Sequence, residues 1–172
     1  MITREILLPF MEIVFLEDGR LIRPCGVDDL EAVSELVLLE AKRFIAGDFD
    51  EAGWKDFLLF LSTEQLLKRL VTGSKALIIQ EGDDQLSGYI EITGNQLLLL
   101  FVAERFQGLH LATRLLNRLC DTLEINELFV NSSTKGYDFY VKRNFKPVGE
   151  WKISSGIKHR PLKWQRNSEG NQ

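Results

Sequence analysis

The pattern of hydrophobic and polar positions divides the chain into a helical first part and a later part rich in strands. Residues 12–16 and 21–24 flank an Asp18-Gly19 pair, which favours a tight turn, and together they predict a hairpin. Apolar residues every three to four positions then predict helices over residues 28–45, 51–61 and 63–71. Asp28 is expected to cap the first helix, with Glu31 completing a capping box.

Strand patterns dominate the rest of the chain. Residues 97–102 are apolar at every position, as is typical of a central strand that is buried on both faces. Residues 86–93 alternate, which predicts a strand with a polar face carrying Tyr89 and Glu91. The other predicted elements are strands at 76–79, 128–130, 151–153 and 157–164, and helices at 108–123 and 134–144. This order predicts an α+β fold in mixed αβα layers, with a mainly antiparallel sheet and one late strand–helix–strand crossover.

The composition is that of one globular domain. The 172 residues are 45% hydrophobic, and no apolar run approaches the ~20 residues that a membrane helix needs. Cys25 and Cys120 lie far apart, which argues against a disulfide framework and favours a reducing, cytoplasmic location. Cys120 is expected to be inert packing and His159 a surface residue, and two histidines alone do not make a metal site.

Charge is distributed unevenly. The net charge is −4, with −7 in the first 60 residues and +3 in the remainder. An acidic chain without a basic-aromatic stripe is not typical of a nucleic-acid-binding protein. The asymmetry indicates either a cationic partner on one side and an anionic one on the other, or charges that only keep the surface soluble.

The stretch from Leu97 to Leu116 carries the first chemical signal. A buried strand is followed by a loop with a Gln107-Gly108 pair and then by a helix. The first turn of a helix has unpaired N–H groups and the positive end of the helix dipole, so this connection can bind a phosphate without a metal. An ordinary strand-to-helix connection has the same pattern.

Two motifs in this order resemble the GNAT superfamily of N-acetyltransferases, which have the acyl-CoA N-acyltransferase fold. Residues 107–112, QGLHLA, resemble motif A, Q/R-x-x-G-x-G/A. Residues 131–145, NSSTKGYDFYVKRNF, resemble motif B, N-x-x-x-x-A-x-x-F-Y-x-x-x-G-F. The resemblance covers about residues 21–164, and we assign 21–165 to the domain, 1–20 to an N-terminal extension with a hairpin strand, and 166–172 to a frayed tail.

The resemblance implies a twisted, mostly antiparallel sheet in which two adjacent parallel strands splay apart in a V, with helices on both faces. It further implies direct transfer of an acetyl group from acetyl-CoA to a primary amine in a ternary complex, with no metal. The backbone of Leu100, Phe101 and Val102 is expected to pair with the pantetheine arm. The pyrophosphate is expected on Gln107, Gly108, Leu109, His110, Leu111, Ala112 and Thr113. Asn131 is expected to bind the pantetheine arm or a structural water, and Lys142 an anionic part of CoA.

Two proton transfers define the expected catalytic residues. The amine is mostly protonated at neutral pH and must lose a proton, and the leaving thiolate must gain one. Tyr140 matches the motif B tyrosine that serves as this acid in many family members. Glu91 is the candidate base, and the alternative is that it is a solvated strand residue.

Three positions depart from the motifs. His110 replaces the central motif A glycine, and it would crowd the phosphates, donate to them, or simply point outward from a helical backbone, which is the interpretation we favour. Gly136 replaces an alanine of motif B. Asn144 replaces a glycine, and asparagine tolerates the left-handed conformation that often ends a helix.

The sequence leaves the acceptor open, from amino acids and polyamines to antibiotics, peptide N-termini and lysine. Asp48, Asp50 and Glu51, in the region that lines the family's acceptor pocket, would suit a cationic amine, but a solvated turn looks the same. A homodimer is a further expectation from the fold. The alternative to an active enzyme is a catalytically silent module with this fold that binds CoA or another protein.

Overall fold

The computed structural model describes residues 12–167. The helices are α1 (Leu30–Phe44), α2 (Glu51–Phe60), α3 (Thr63–Thr72), α4 (Leu111–Thr122) and α5 (Tyr137–Val141). The strands are β1 (Val14–Phe15), β2 (Leu21–Pro24), β3 (Lys75–Gln80), β4 (Leu86–Thr93), β5 (Gln96–Val102), β6 (Glu127–Ser132), β7 (Lys146–Pro147), β8 (Lys152–Ser154) and β9 (Ile157–Gln165). Within these residues no helix is long and apolar enough to cross a membrane.

The strands form one sheet in the order β1-β2-β3-β4-β5-β6-β9-β7, and β8 pairs with β9 outside this path. Among the described strands only β5 and β6 pair in parallel, because α4 crosses between them. The predicted α+β architecture and the N-terminal hairpin are therefore both present.

Helices cover both faces of this sheet. One face packs against α4, where Leu77, Ile79 and Ile90 meet Leu115. The opposite face packs against α1 to α3. The buried residues of this second core include Val33, Val37 and Leu66 from the helices and Ile78 and Tyr89 from the sheet. Successive residues of a strand point to opposite faces, so the short apolar run of β3 supplies both cores.

Strands β5 and β6 separate soon after they meet. They pair only at Gln96 with Phe129 and at Leu97 with Val130. At this point the register of β5 against β4 skips Leu98, so that Leu97 faces Ile92 and Leu99 faces Glu91. An extra residue of this kind bends a strand and increases its twist. Beyond the bulge β5 stays paired with β4 as far as Val102, and no strand of residues 12–167 lies beside its other edge.

Three local predictions are corrected. The face of β4 predicted to be polar is buried, because α1 to α3 cover Tyr89 and Glu91. A single-turn helix over residues 27–29 precedes α1. The carboxylate that caps this turn belongs to Asp29, which accepts from the Gly26 N–H at 2.7 Å, and not to Asp28 as predicted. Arg166, predicted to be frayed, donates its N–H to the carbonyl of Asn126 at 2.8 Å, while 168–172 lie outside the described residues.

A close backbone contact joins α2 to the β8–β9 turn. The Asp50 N–H donates to the Gly156 carbonyl at 2.8 Å, and the Asp50 side chain caps α2 by accepting from the Gly53 N–H at 2.7 Å. A β-carbon on Gly53 would lie 2.6 Å from the carbonyl carbon of Gly156. Glycine is therefore required at position 53 for this approach.

We predict that Gly53→Ala destabilises the protein by about 1–3 kcal/mol, the usual cost of overpacking, despite the better helix propensity of alanine. Gly47→Ala is the matched control, because a β-carbon there meets nothing within 4 Å. It should leave the free energy of unfolding in urea unchanged or slightly higher. Equal unfolding free energies for the two variants would contradict this account of the contact.

Candidate active site

A cavity of about 770 Å³ opens where β5 and β6 separate. Its walls come from the diverging ends of these strands, from the loop before α4, from α5, and from α1 and α2 on the opposite side. A cleft of this size can hold an extended molecule together with a second, smaller one. The splay that creates the cavity also leaves the β5 edge from Leu98 to Val102 without a partner on that side among the described strands.

The backbone before α4 forms an anion site at one end of the cavity. Among the described residues, the N–H groups from Gly108 to Thr113 donate to no other residue, and the first helical bond runs from the Arg114 N–H to the His110 carbonyl at 3.0 Å. Gly108 and His110 have φ angles of 82° and 60°. Left-handed residues that alternate with right-handed ones turn successive N–H groups into one concavity, and the helix dipole adds to its positive potential.

The conformation of His110 differs from the prediction. We expected a helical backbone at this position, but its φ and ψ of 60° and 19° are left-handed. The side chain is exposed and lines the cavity. Histidine is among the few residues other than glycine that adopt this conformation readily, so His110 keeps the backbone shape that a glycine would provide.

Tyr140 lies in the cavity wall between the two diverging strands and α4. Its ring packs edge-on against Phe139 and Phe145, with centroids 5.1 Å away in each case. The side chain is 8% exposed, and its hydroxyl makes no hydrogen bond to another residue of 12–167. Burial raises the pKa of this phenol above its usual value of 10, although the nearby charge of Arg143 opposes the shift. The hydroxyl is therefore protonated throughout the neutral range.

The two substituted positions of motif B fit this arrangement. A β-carbon on Gly136 would lie 3.4 Å from the Tyr140 ring and 3.1 Å from the Ser133 hydroxyl, so the glycine leaves room for the ring. Asn144 has a φ of 64° just after α5, which confirms the left-handed end expected there.

Arg143 is a cavity residue that the sequence analysis missed. Its guanidinium donates to the Thr113 hydroxyl at 2.9 Å and to the Phe139 carbonyl at 2.9 Å, and it lies 3.7 Å from the centroid of the Phe139 ring. It thereby ties α5 to the first turn of α4 and brings a positive charge beside the anion site. The sequence feature that could have identified Arg143 is its position three residues after Tyr140, because residues at this spacing are neighbours on a helix.

Most of the predicted binding residues meet at this cavity. Those in its walls are Leu100, Phe101, Val102, Gln107, Gly108, His110, Leu111, Ala112, Thr113, Asn131 and Tyr140. Leu109 and Lys142 are exposed and lie outside the described walls. His159, expected at the surface, is buried with 7% exposure and lines the cavity. Among residues 12–167 there is no group of three His, Cys, Asp or Glu that could hold a metal ion.

Glu91 lies outside the cavity walls. Its carboxylate is fully buried and accepts from Arg69 Nε at 2.7 Å, from Arg69 Nη2 at 3.0 Å and from the Tyr89 hydroxyl at 2.9 Å. Arg69 also donates to the Phe60 carbonyl at 2.7 Å, and its guanidinium lies 3.7 Å from the centroid of the Phe60 ring. Phe60 is a cavity residue, so the Glu91 side chain is linked to the cavity wall through Arg69.

A family model for the acetyltransferase (GNAT) domain matches residues 45–166. The fold is similar to that of a GCN5-related N-acetyltransferase from Rhodopseudomonas palustris, with 17% identity, a TM-score of 0.71, and coverage of 90% of this chain and 99% of that one. It is also similar to the PaiA N-acetyltransferase from Thermoplasma acidophilum in complex with coenzyme A, with 23% identity, a TM-score of 0.69, and coverage of 91% and 100%. A third similar structure is the spermidine/spermine N-acetyltransferase SpeG from Vibrio cholerae, with 13% identity, a TM-score of 0.55, and coverage of 85% and 94%. No curated protein sequence matches the chain.

The left-handed backbone of His110 leads to a prediction about the anion site. His110→Val should lower the free energy of unfolding by about 1–2 kcal/mol, because a β-branched residue is strained in this conformation. It should also weaken coenzyme A binding in calorimetry by disturbing the row of N–H groups. His110→Asn and His110→Gly should change that affinity by less than ~1 kcal/mol, because both residues keep the left-handed backbone and we expect backbone N–H groups to supply the phosphate contacts. A valine variant that matches the asparagine variant in both measurements would contradict the prediction.

Proposed function

The chain belongs to the GNAT acetyltransferase family, and we propose that it transfers an acetyl group from acetyl-CoA to a primary amine by direct attack in a ternary complex. The observation that carries this proposal is the combination of an unpaired strand edge and a row of free N–H groups at the same cavity. An extended amide-bearing arm ending in phosphates matches both features.

The backbone supports acetyl-CoA as the acyl donor. The β5 edge from Leu98 to Val102 offers N–H and C=O groups that otherwise have no strand partner, and buried backbone polar groups require one. The N–H groups from Gly108 to Thr113 suit the pyrophosphate. Coenzyme A is bound in the similar PaiA structure. We propose that Asn131, which lines the same cavity, bonds the pantetheine arm, and that Lys142 contributes only long-range attraction from its exposed position.

Tyr140 is the proposed general acid. Acetyl-CoA supplies an acetyl thioester, and its sulfur needs a proton as it leaves. Tyr140 lines the cavity, its hydroxyl has no hydrogen-bonding partner among the described residues, and its raised pKa keeps it protonated. We propose that it donates this proton to the sulfur as the bond to carbon breaks, that the attacking amine loses its proton to water in the open cavity, and that Tyr140 regains a proton from water after the thiol has formed.

For Glu91 we propose a positioning role. The carboxylate is fully buried by Arg69, Tyr89 and the surrounding core and lies outside the cavity walls, so an amine in the cavity has no direct contact with it. Its buried pairing with Arg69 instead holds Phe60 in the wall of the cavity. We infer that Glu91 acts on the acceptor through Arg69 and Phe60.

The first test of this function is binding of acetyl-CoA. Ligand at ~100 times its dissociation constant should stabilise the protein by about 2.7 kcal/mol. For a domain of this size that corresponds to a rise of roughly 5–10 °C in Tm. Acetate at the same concentration is the control. The proposal fails if millimolar acetyl-CoA leaves the melting temperature unchanged.

The second test concerns Tyr140. Tyr140→Phe removes only the hydroxyl, so kcat should fall by about 10²–10⁴-fold while acetyl-CoA affinity stays within a few-fold. The assay follows free CoA thiol with the best acceptor from a panel of primary amines. Tyr137→Phe is the matched control, because Tyr137 lies on the same helix but outside the cavity walls. Wild-type kcat in Tyr140→Phe across about pH 6 to 9, with chemistry limiting the rate, would make Tyr140 a packing residue.

A further inference from the structure

Glu40, in the last part of α1, is a buried carboxylate with an incomplete set of partners. The residue is 1% exposed, and Arg43 Nη1 donates to its Oε1 at 3.1 Å. Its Oε2 is also buried and has no hydrogen-bonding partner among the described residues. A buried carboxylate oxygen without a partner is costly, so its presence calls for an explanation.

The charges around Glu40 do not balance. Arg43 also pairs with Glu104 at 3.0 Å, so one guanidinium serves two carboxylates. Asp48, a second acidic residue of the cavity, already accepts from the Thr134 N–H at 2.8 Å and the Thr134 hydroxyl at 2.6 Å. Asp56, the third acidic residue of the cavity, is exposed, so Glu40 is the buried acid of this wall, and one of its oxygens has no partner among the described residues.

The wall around Glu40 is aromatic. Phe44, Phe49, Phe57 and Phe60 line the same cavity, and the Phe49 and Phe57 rings lie 5.0 Å apart. Aromatic faces pack against apolar carbon and attract cations. Lys135 Nζ already lies 5.6 Å from the centroid of the Phe44 ring, which shows this preference within the protein itself. This wall belongs to α1 and α2, opposite the N–H groups of the anion site.

We propose that Glu40 Oε2 binds the ammonium group of the acceptor, and that the acceptor is a primary amine carried on an apolar or aromatic stem. The proposal rests on the proposed acetyl transfer and specifies its substrate class. The ammonium donates to Oε2, which has no other partner among the described residues. Its positive charge compensates the carboxylate charge that remains because Arg43 pairs with both Glu40 and Glu104. The stem packs against the phenylalanines. Glu40 thus selects a cationic amine over a neutral molecule of the same shape.

The probe is 2-phenylethylamine, with 2-phenylethanol as a neutral analogue of similar shape. Calorimetry in saturating CoA, which gives a ternary complex without turnover, measures their affinities. We expect the wild type to bind the amine at least ~10-fold more tightly than the alcohol. Glu40→Gln should lower the amine affinity by ~10–100-fold and remove this discrimination. Glu40→Asp keeps the charge and should retain part of the discrimination.

Glu35→Gln is the matched control, because Glu35 lies exposed on the same helix. It should leave both affinities unchanged. Because Glu40→Gln removes a charge that lacks a full set of partners, it should fold with an unchanged or higher Tm. The proposal is overturned if the wild type binds the alcohol as tightly as the amine, or if Glu40→Gln keeps the wild-type preference. A CoA titration of each variant separates the outcomes, because loss of CoA binding by the wild type would instead refute the acetyltransferase function.

Discussion

The early separation of two parallel strands is the constraint on which the site depends. β5 and β6 share two residue pairs and then diverge, and the bulge at Leu98 bends β5 where the pairing stops. A sheet normally gains stability by pairing every internal edge, so an internal edge left open requires another partner. The opening provides the space for a ligand and also the backbone groups that bind it. The bulge, the crossover through α4 and the cavity are parts of one arrangement.

The two sides of the cavity differ in charge and therefore favour ligand groups of opposite charge. The loop before α4 presents N–H groups and the positive end of a helix dipole, and Arg143 adds a charge beside them. The wall from α1 and α2 presents phenylalanine rings and Glu40, a carboxylate with one oxygen unpartnered. An anionic molecule on one side and a cationic amine on the other would satisfy both.

Burial changes what the acidic residues of this domain can do. Glu91 lies on a strand whose alternation predicts solvent on that face, but α1 to α3 cover it, and the carboxylate is neutralised by Arg69. Glu40 lies in a helix whose periodicity predicts ordinary packing. In the fold, however, its Oε2 is buried without a hydrogen-bonding partner among the described residues. The bidentate pair with Arg69 offsets the cost of burying the Glu91 charge. For Glu40 we propose that a bound ammonium group offsets it.

The local pattern of residues was enough to predict most of the elements and the loop before α4 as a candidate anion site. Hydrophobic periodicity is local, so the order of helices and strands, the buried β5 and the loop before α4 could be read from it. Two spaced motifs led to Tyr140 and to the part of the cavity wall that the loop before α4 provides. The hydrogen-bonding partners of the buried polar side chains could be identified only from the tertiary structure. Glu91 meets Arg69 across 22 positions and Thr113 meets Arg143 across 30, and such contacts arise from packing between elements, which periodicity does not encode. The left-handed backbone of His110 likewise follows from how the loop joins β5 to α4, because the sequence allowed both a helical and a left-handed conformation there.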